Sequence, residues 1–410
     1  MLRARLVVTG TEVLEGRVRD ENGASIAADL TGRGIRVVGT VVVDDALASI
    51  EAAVAAALAD GSDVVVVTGG LGPTHDDRTM EAVARAVGVP LAESATALAR
   101  INTAMSGVRV RASAEVREAA ARKQALLPDG AVTLPPPGTA PGAVLPVGDQ
   151  TVVVLPGPPW ECMASWQHAL ATPRLQDLLA RAGGPPITLR MAGVVESEFI
   201  EAIDDPQWHD GIEVGVCAKP GELEVVIRPD DAHGRALAHH LDTTFPGAIF
   251  SRDGARVEQV LGAALRERGV TLATAESCTG GMIGARLTAV PGASAWYLGG
   301  VVSYDDAVKR DVLGVPAELL ATHGAVSAAC AEAMAVGVRA HLGSTWAISV
   351  TGIAGPGGGS PEKPVGLVYV GVAGPEGVDV RELHLYGDRE RVRQRAATIA
   401  LHMLREAVTA

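Results

Sequence analysis

A chain of 410 residues is too long for one ordinary domain and, at roughly 150 residues each, has room for about three. Hydrophobic residues make up 48%, enough for buried cores, whereas 35 basic against 48 acidic residues (net charge −13) and 3% aromatic residues supply neither the cationic surface nor the rings that nucleic acids require. Direct nucleic-acid binding is therefore not expected, nor is a membrane span, because no run of about 18 apolar residues is free of charge or breakers.

From the start of the chain, short Val-rich runs alternate with Ala-rich helical stretches at 6–8, 25–30, 37–43, 50–58 and 64–67. Apolar strands separated by helices predict a mostly parallel sheet covered on both faces, an α/β domain. Residues 64–77, VVVVTGGLGPTHDD, read as a buried strand, a glycine-rich turn and two carboxylates where the next helix begins. Ligands of open α/β sheets sit at the carboxyl ends of strands, so a phosphate compound and a divalent cation are expected there. Asp76 and Asp77 suit Mg²⁺, which takes one or two carboxylates and keeps its waters; their pairing with the helix dipole is the alternative. The Pro/Gly-rich stretch 134–142 is a loop at the rim of this domain.

A linker at 183–186, GGPP, leads to a small α+β unit with a strand at 188–191, a helix at 196–203 and a strand pair about 219–222. After a helix at 257–268 a second α/β alternation begins at Val270. The expected domains are 1–168, 169–252 and 253–410. In the last, 270–276 reads as a strand and 279–288 as a helix, leaving Ser277 and Cys278 at the junction. Free N–H groups at that helix start offer an anion seat, with Gly280 allowing close approach; a plain serine cap is the alternative. Residues 299–313 then read as a strand passing into a helix whose first turn carries Asp305 and Asp306, with Lys309 one turn inside. Lysine can serve as the base that takes a serine proton, if burial lowers its pKa towards neutrality, or it can form a surface pair with Asp305. Further on, 346–359 is a strand running into a loop with five glycines, and 387–393 opens the last helix with several arginines suited to a phosphate monoester.

Two composition counts sharpen this. The four cysteines, Cys162, Cys217, Cys278 and Cys330, lie 55, 61 and 52 residues apart, so no CxxC pair is present for zinc or redox chemistry. Only four of the basic residues are lysines, Lys123, Lys219, Lys309 and Lys363. An ammonium retained among so many guanidiniums merits attention, since only the former can deprotonate.

The blocks AESCTGG (275–281), GGVVSY (299–304) with Lys309, HGAVS (323–327), VTGIAGP (350–356), PEKPVG (361–366) and GDRE (387–390) resemble the CinA C-terminal, nicotinamide-nucleotide amidase family. That resemblance implies hydrolysis of nicotinamide mononucleotide to nicotinate mononucleotide and ammonia, without cofactor. Ser277 would be the nucleophile and Lys309 its base, with Tyr304 lining the site. From the residues themselves, Thr279 and the main chain around Thr351 and Gly352 are expected to receive the oxyanion or substrate, and Arg389 or Arg393 the 5′-phosphate. TGTEVLEG (9–16), DENG (20–23), the 64–77 block and LPGPP (155–159) resemble the molybdopterin-binding, MoaB/Mog-like domain of the same family, reported in some relatives as an ADP-ribose pyrophosphatase. Its site here would comprise Glu12, Asn22, Gly69, Gly70, Gly72 and Asp76, with Asp76 and Asp77 as ligands of Mg²⁺, Mn²⁺ or Co²⁺. VESE (195–198) and AKPGE (218–222) resemble the KH-like middle unit, here without the GXXG loop and basic charge that RNA clamping needs. The reading is a cytoplasmic homodimeric hydrolase of small nucleotides; a non-catalytic scaffold in competence or DNA damage and a molybdopterin binder are the alternatives.

Overall fold

The valine run at 64–67 serves two cores at once. In the computed structural model, which describes residues 1–105 and 113–409, it lies in β3 at the centre of a six-stranded sheet. The strands of the first compact unit, Met1–Pro186, are β1 (Arg3–Thr9), β2 (Arg36–Val43), β3 (Val64–Thr68), β4 (Leu91–Glu93), β5 (Leu126–Pro128), β6 (Val132–Thr133), β7 (Ala143–Val147) and β8 (Gln150–Leu155). The sheet order is β2-β1-β3-β8-β7-β6, parallel among the first four and antiparallel thereafter; β4 and β5 form a separate ribbon. Side chains alternate across a strand. Val64 and Val66 therefore meet Ile26 and Leu30 of the helix Asn22–Gly32 and Trp166 of Pro159–Leu170, while Val65 and Val67 meet Val54 of Leu47–Ala59 and Val83 of Thr79–Val87. Both faces are covered, which explains why β3 carries no polar alternation. The helix Pro173–Leu179 adds Leu175 and Leu178 to the first of these cores, and the expected edge at 168 falls inside the helix Pro159–Leu170.

The second unit, Ile187–Ala410, contains two sheets. The smaller is antiparallel, in the order β10-β11-β9-β12, from β9 (Ile187–Ala192), β10 (Glu213–Lys219), β11 (Glu222–Arg228) and β12 (Ile249–Ser251). Phe199 of the helix Glu196–Ala202 and Leu237 of Ala232–Thr244 close its core. The larger sheet runs β14-β13-β15-β16-β17, from β13 (Leu272–Glu276), β14 (Tyr297–Val302), β15 (Trp346–Gly352), β16 (Leu367–Gly374) and β17 (Gly377–His384). Its first three strands are parallel, and a hairpin adds β16 and β17 antiparallel, so this sheet is evenly mixed. One face packs Leu272, Ile348 and Val350 against the helices Val257–Arg268, Met282–Thr288 and Arg389–Thr409. On the other face Ala273, Ala275 and Ala347 lie against Cys330, Met334 and Val338 of the helix Ala328–Leu342. Among the described residues no helix is long and apolar enough to cross a membrane.

Candidate active site

The residue after the last paired position of β13 is Ser277. Strand alternation sends Glu276 towards the helix Met282–Thr288 and Ser277 towards the opposite, Ala328–Leu342 face. Glu276 is buried, and its carboxylate accepts from the N–H groups of Gly281 at 3.1 Å, Ile283 at 3.1 Å and Gly284 at 2.8 Å. The anion seat expected at this helix start is thus occupied by the protein's own carboxylate. Gly280 and Gly281, with φ of 60° and 93°, turn the chain between strand and helix, a conformation that favours glycine. Ser277 is 8% exposed, and its hydroxyl makes no hydrogen bond to a described residue.

Lys309, in the helix Asp306–Asp311, is 1% exposed. Its Nζ donates to Tyr304 O at 3.3 Å and to Asp306 Oδ1 at 3.2 Å. The pairing is therefore with Asp306 rather than Asp305, whose side chain caps the helix by accepting from Ala307 N at 2.8 Å. Val315, packed in the core of Cys330 and Met334, donates its N–H to Lys309 O at 3.0 Å, which ties Lys309 to the side of the sheet that Ser277 takes. No hydrogen bond joins Lys309 to Ser277. Such contacts often tighten only when substrate binds. Burial pushes the neighbouring thiols of Cys278 and Cys330 up to about 11, so neither is a thiolate near neutrality.

Around this pair the structure gathers most of the remaining candidates. Tyr304 is exposed, and Arg389 Nη2 donates to its hydroxyl at 3.0 Å while Nη1 donates to Gly355 O at 2.6 Å, linking the segment after β14 to the glycine loop. Arg393 donates to Cys278 O at 3.1 Å and Thr279 O at 3.0 Å and pairs with Glu390 at 2.9 Å. All three nitrogens of Arg393 are thereby engaged and brace the Ser277 turn, whereas Arg389 has bonds from its two terminal nitrogens and none from Nε among the described residues. Thr279 is fully enclosed, with an unpartnered hydroxyl. Thr351 and Gly352 are paired with β16, and Thr351 Oγ1 donates to Ala325 O at 2.7 Å. Lys363 secures the far side of the glycine loop by donating to His323 O at 2.6 Å and Val326 O at 2.7 Å. Sequence reasoning missed the roles of Glu276 and Lys363. Glu276 is signalled by a carboxylate closing an apolar strand just before a helix, and Lys363 by the scarcity of lysine.

A cleft of about 250 Å³ lies in the first unit, where β1 and β3 end. Glu12, Asn22, Gly69, Gly70, Asp76 and Asp77 line it as expected, joined by Thr9, Asp20, Asp45 and Thr68. The latter group was missed singly, although Thr9, Asp20 and Thr68 lie within the recognised blocks. Gly69 and Gly70, with φ of 100° and 64°, let the turn pass against Thr9 and Thr79, where a Cβ would fall 2.5 and 2.3 Å from the Thr9 and Thr79 oxygens. Gly72 is behind the lining, packed on the Asp77 carboxylate. Asp76 and Asp77 precede the helix Thr79–Val87 rather than opening it, and both accept from Thr74, the Asp77 contact being 2.6 Å. The Thr74 hydroxyl holds the Asp76 carboxyl below its ordinary range. Among the described residues no group of three or more His, Cys, Asp or Glu side chains converges to cage a metal. The donor set still fits a hydrated divalent ion, because each aspartate keeps an oxygen free and Asn22 Oδ1 and Thr68 Oγ1 are buried without partners.

A domain ending parallel strands in an acidic, glycine-lined cleft, followed by one presenting a serine and a buried lysine, defines a two-module α/β protein of the molybdopterin-binding and CinA type. Residues 5–177 match the family described as a probable molybdopterin binding domain, and residues 254–408 match the CinA C-terminal domain. The chain is 45% identical to a CinA-like protein of Mycolicibacterium vanbaalenii, with 99% of each chain covered, and 40% identical to a CinA-like protein of Mycobacterium tuberculosis, with 99% of this chain and 97% of the relative covered. It belongs to the CinA family. Among solved structures, the competence/damage inducible protein CihA from Agrobacterium tumefaciens is 42% identical over 38% of this chain and 94% of its own, with a TM-score of 0.36.

Proposed function

We propose that the second unit is a serine/lysine amidohydrolase that deamidates nicotinamide mononucleotide. The observation that supports this most is the amine of Lys309, enclosed at 1% exposure on the sheet face where Ser277 holds an unbonded hydroxyl. Ser277 Oγ attacks the carboxamide carbon, and its proton passes to the lone pair of the Lys309 amine. Collapse of the tetrahedral adduct breaks the C–N bond, and the returned proton leaves with ammonia. Water then hydrolyses the ester, giving a proton to Lys309 and restoring the Ser277 hydroxyl. Arg389, reaching both Tyr304 and the glycine loop, is the arm that meets the 5′-phosphate, and no cofactor enters. Ser277→Ala and Lys309→Arg are each expected to abolish ammonia release while the circular dichroism spectrum stays unchanged. Near-normal turnover by Lys309→Arg would remove the lysine from the base role. Failure of wild-type protein to release ammonia would favour a scaffold role.

For the first unit we propose binding and hydrolysis of a pyrophosphate such as ADP-ribose through a divalent cation. The cleft lines six carboxylates, Glu12, Asp20, Glu21, Asp45, Asp76 and Asp77, against one guanidinium, Arg19, so an anion is repelled unless a cation intervenes. Asp76, Asp77 and Asn22 would hold that ion, which supplies Lewis acidity towards a phosphoryl oxygen. No cleavage of ADP-ribose with Mg²⁺, Mn²⁺ or Co²⁺, together with tight titration of a pterin, would favour the molybdopterin-binding alternative.

A further inference from the structure

Ser303 is fully buried, and its hydroxyl has no hydrogen-bond partner among the described residues. A buried polar group left unpaired has lost its hydration without compensation, so a structural role does not account for it. Its position does. Ala273, Ala275 and Glu276 of β13 pair with Gly299, Val301 and Val302 of β14, and Ser303 N donates to Glu276 O at 2.8 Å, carrying the register one residue further. That step brings Ser303 beside Ser277. Val301 packs on the core containing Ala273 and Ala275, and a Cβ on Gly299 would meet Leu342 of the same core. Alternation therefore places Ser277 and Ser303 on that one face. Lys309 is tied to the same face through Val315, which packs in that core and donates to Lys309 O at 3.0 Å, and its Nζ bonds the carbonyl of Tyr304, the next residue after Ser303.

We propose that Ser303 is the proton relay between Ser277 and Lys309, which makes the site a Ser–Ser–Lys chain rather than a dyad. This rests on the amidohydrolase reading and refines it. Neighbouring strands run roughly 4.8 Å apart, so two hydroxyls at paired positions need only rotation about their Cα–Cβ bonds to meet. In the forward step the Ser277 O–H bond breaks as its oxygen bonds the carboxamide carbon. That proton joins Ser303 Oγ while the proton of Ser303 moves to the lone pair of Lys309. When the C–N bond breaks, the same path runs in reverse and delivers a proton to the departing nitrogen.

The test uses the full chain, with Ser303→Ala and Ser303→Thr compared by two readouts at pH 8. These are ammonia release from nicotinamide mononucleotide, and the rate at which phenylmethanesulfonyl fluoride labels Ser277, followed by mass spectrometry. Ser303→Ala is expected to slow both by about a hundredfold without lowering the melting temperature, and Ser303→Thr to recover them to within about tenfold. Unchanged labelling and turnover in Ser303→Ala overturn the relay and leave the amidase reading intact. A loss that threonine does not restore, or a fall in melting temperature on losing the hydroxyl, assigns Ser303 to packing and also overturns the relay. Ser303-dependent labelling without ammonia release from any of the proteins supports the relay and rejects the nucleotide. A wild-type chain that neither labels at Ser277 nor releases ammonia overturns both.

Discussion

Glu276 decides how the corner of β13 behaves. A carboxylate accepting three main-chain N–H groups fixes the turn that carries Ser277, and it does so from the opposite face of the strand, so the serine is oriented without being touched. Charge-assisted hydrogen bonds contribute about 1.5–3 kcal/mol each, and the loss is offset when a neutral amide retains part of the contact. Glu276→Gln turns an NH₂ towards donors and is expected to cost about 2 kcal/mol, read from the urea midpoint, with ammonia release falling further than stability explains; an unchanged midpoint would show that the turn holds without the charge. Lysine scarcity gave a similar residue-level signal. Lys123, Lys309 and Lys363 each donate to a main-chain carbonyl, of Thr74, Tyr304 and, for Lys363, both His323 and Val326. Lys309 emerged from sequence because a spaced serine accompanied it. Lys363 did not, because its partners are carbonyls 37 and 40 residues away, and carbonyls leave no trace in side-chain identity.

Strands and helices were legible where burial is two-sided. β3 and β13 read as apolar runs because helices cover both faces, and β9, the helix Glu196–Ala202 and the β10–β11 hairpin fall where the sequence puts them. The antiparallel β16–β17 pair was not foreseen, since β17 is largely exposed and its pairing depends on register rather than on composition. The anion seat was misjudged for a related reason. Which face a strand's last residue takes is a matter of parity, and parity sends Glu276, not a ligand, to the helix Met282–Thr288. At this scale the glycine loop depends on Lys363, which joins residues 360–366 to the turn before the helix Ala328–Leu342. Lys363→Met keeps the length and removes the donors. Amides of 353–366 and 323–327 are expected to exchange with deuterium about tenfold faster while the sheet amides are unaffected, with turnover falling in parallel. Unchanged exchange in both segments would show that the loop is held by its own packing.

The chain divides at Pro186, not at the boundary between its four-stranded and five-stranded sheets, because the α+β segment and the last domain share buried contacts. His402 of the C-terminal helix bonds Glu222 of β11 at 2.9 Å, both side chains being 6% exposed, and its ring meets Phe250 edge-on at 4.6 Å. Gly221 packs on Thr398, where a Cβ would lie 3.2 Å from its methyl carbon. A fragment beginning at Ile187 keeps these contacts, whereas one beginning at Gly254 exposes the histidine and a face of the last helix. The longer fragment is expected to release ammonia within about twofold of the full chain and to melt about 5 °C or more above the shorter, since 1 kcal/mol moves the midpoint of a unit this size by about 2–4 °C. Calorimetry on the two fragments checks this. Equal midpoints would mean that the α+β segment adds no stability to the last domain, and the buried His402–Glu222 pair would then reflect specificity of docking rather than stability, as in some other buried ionisable pairs.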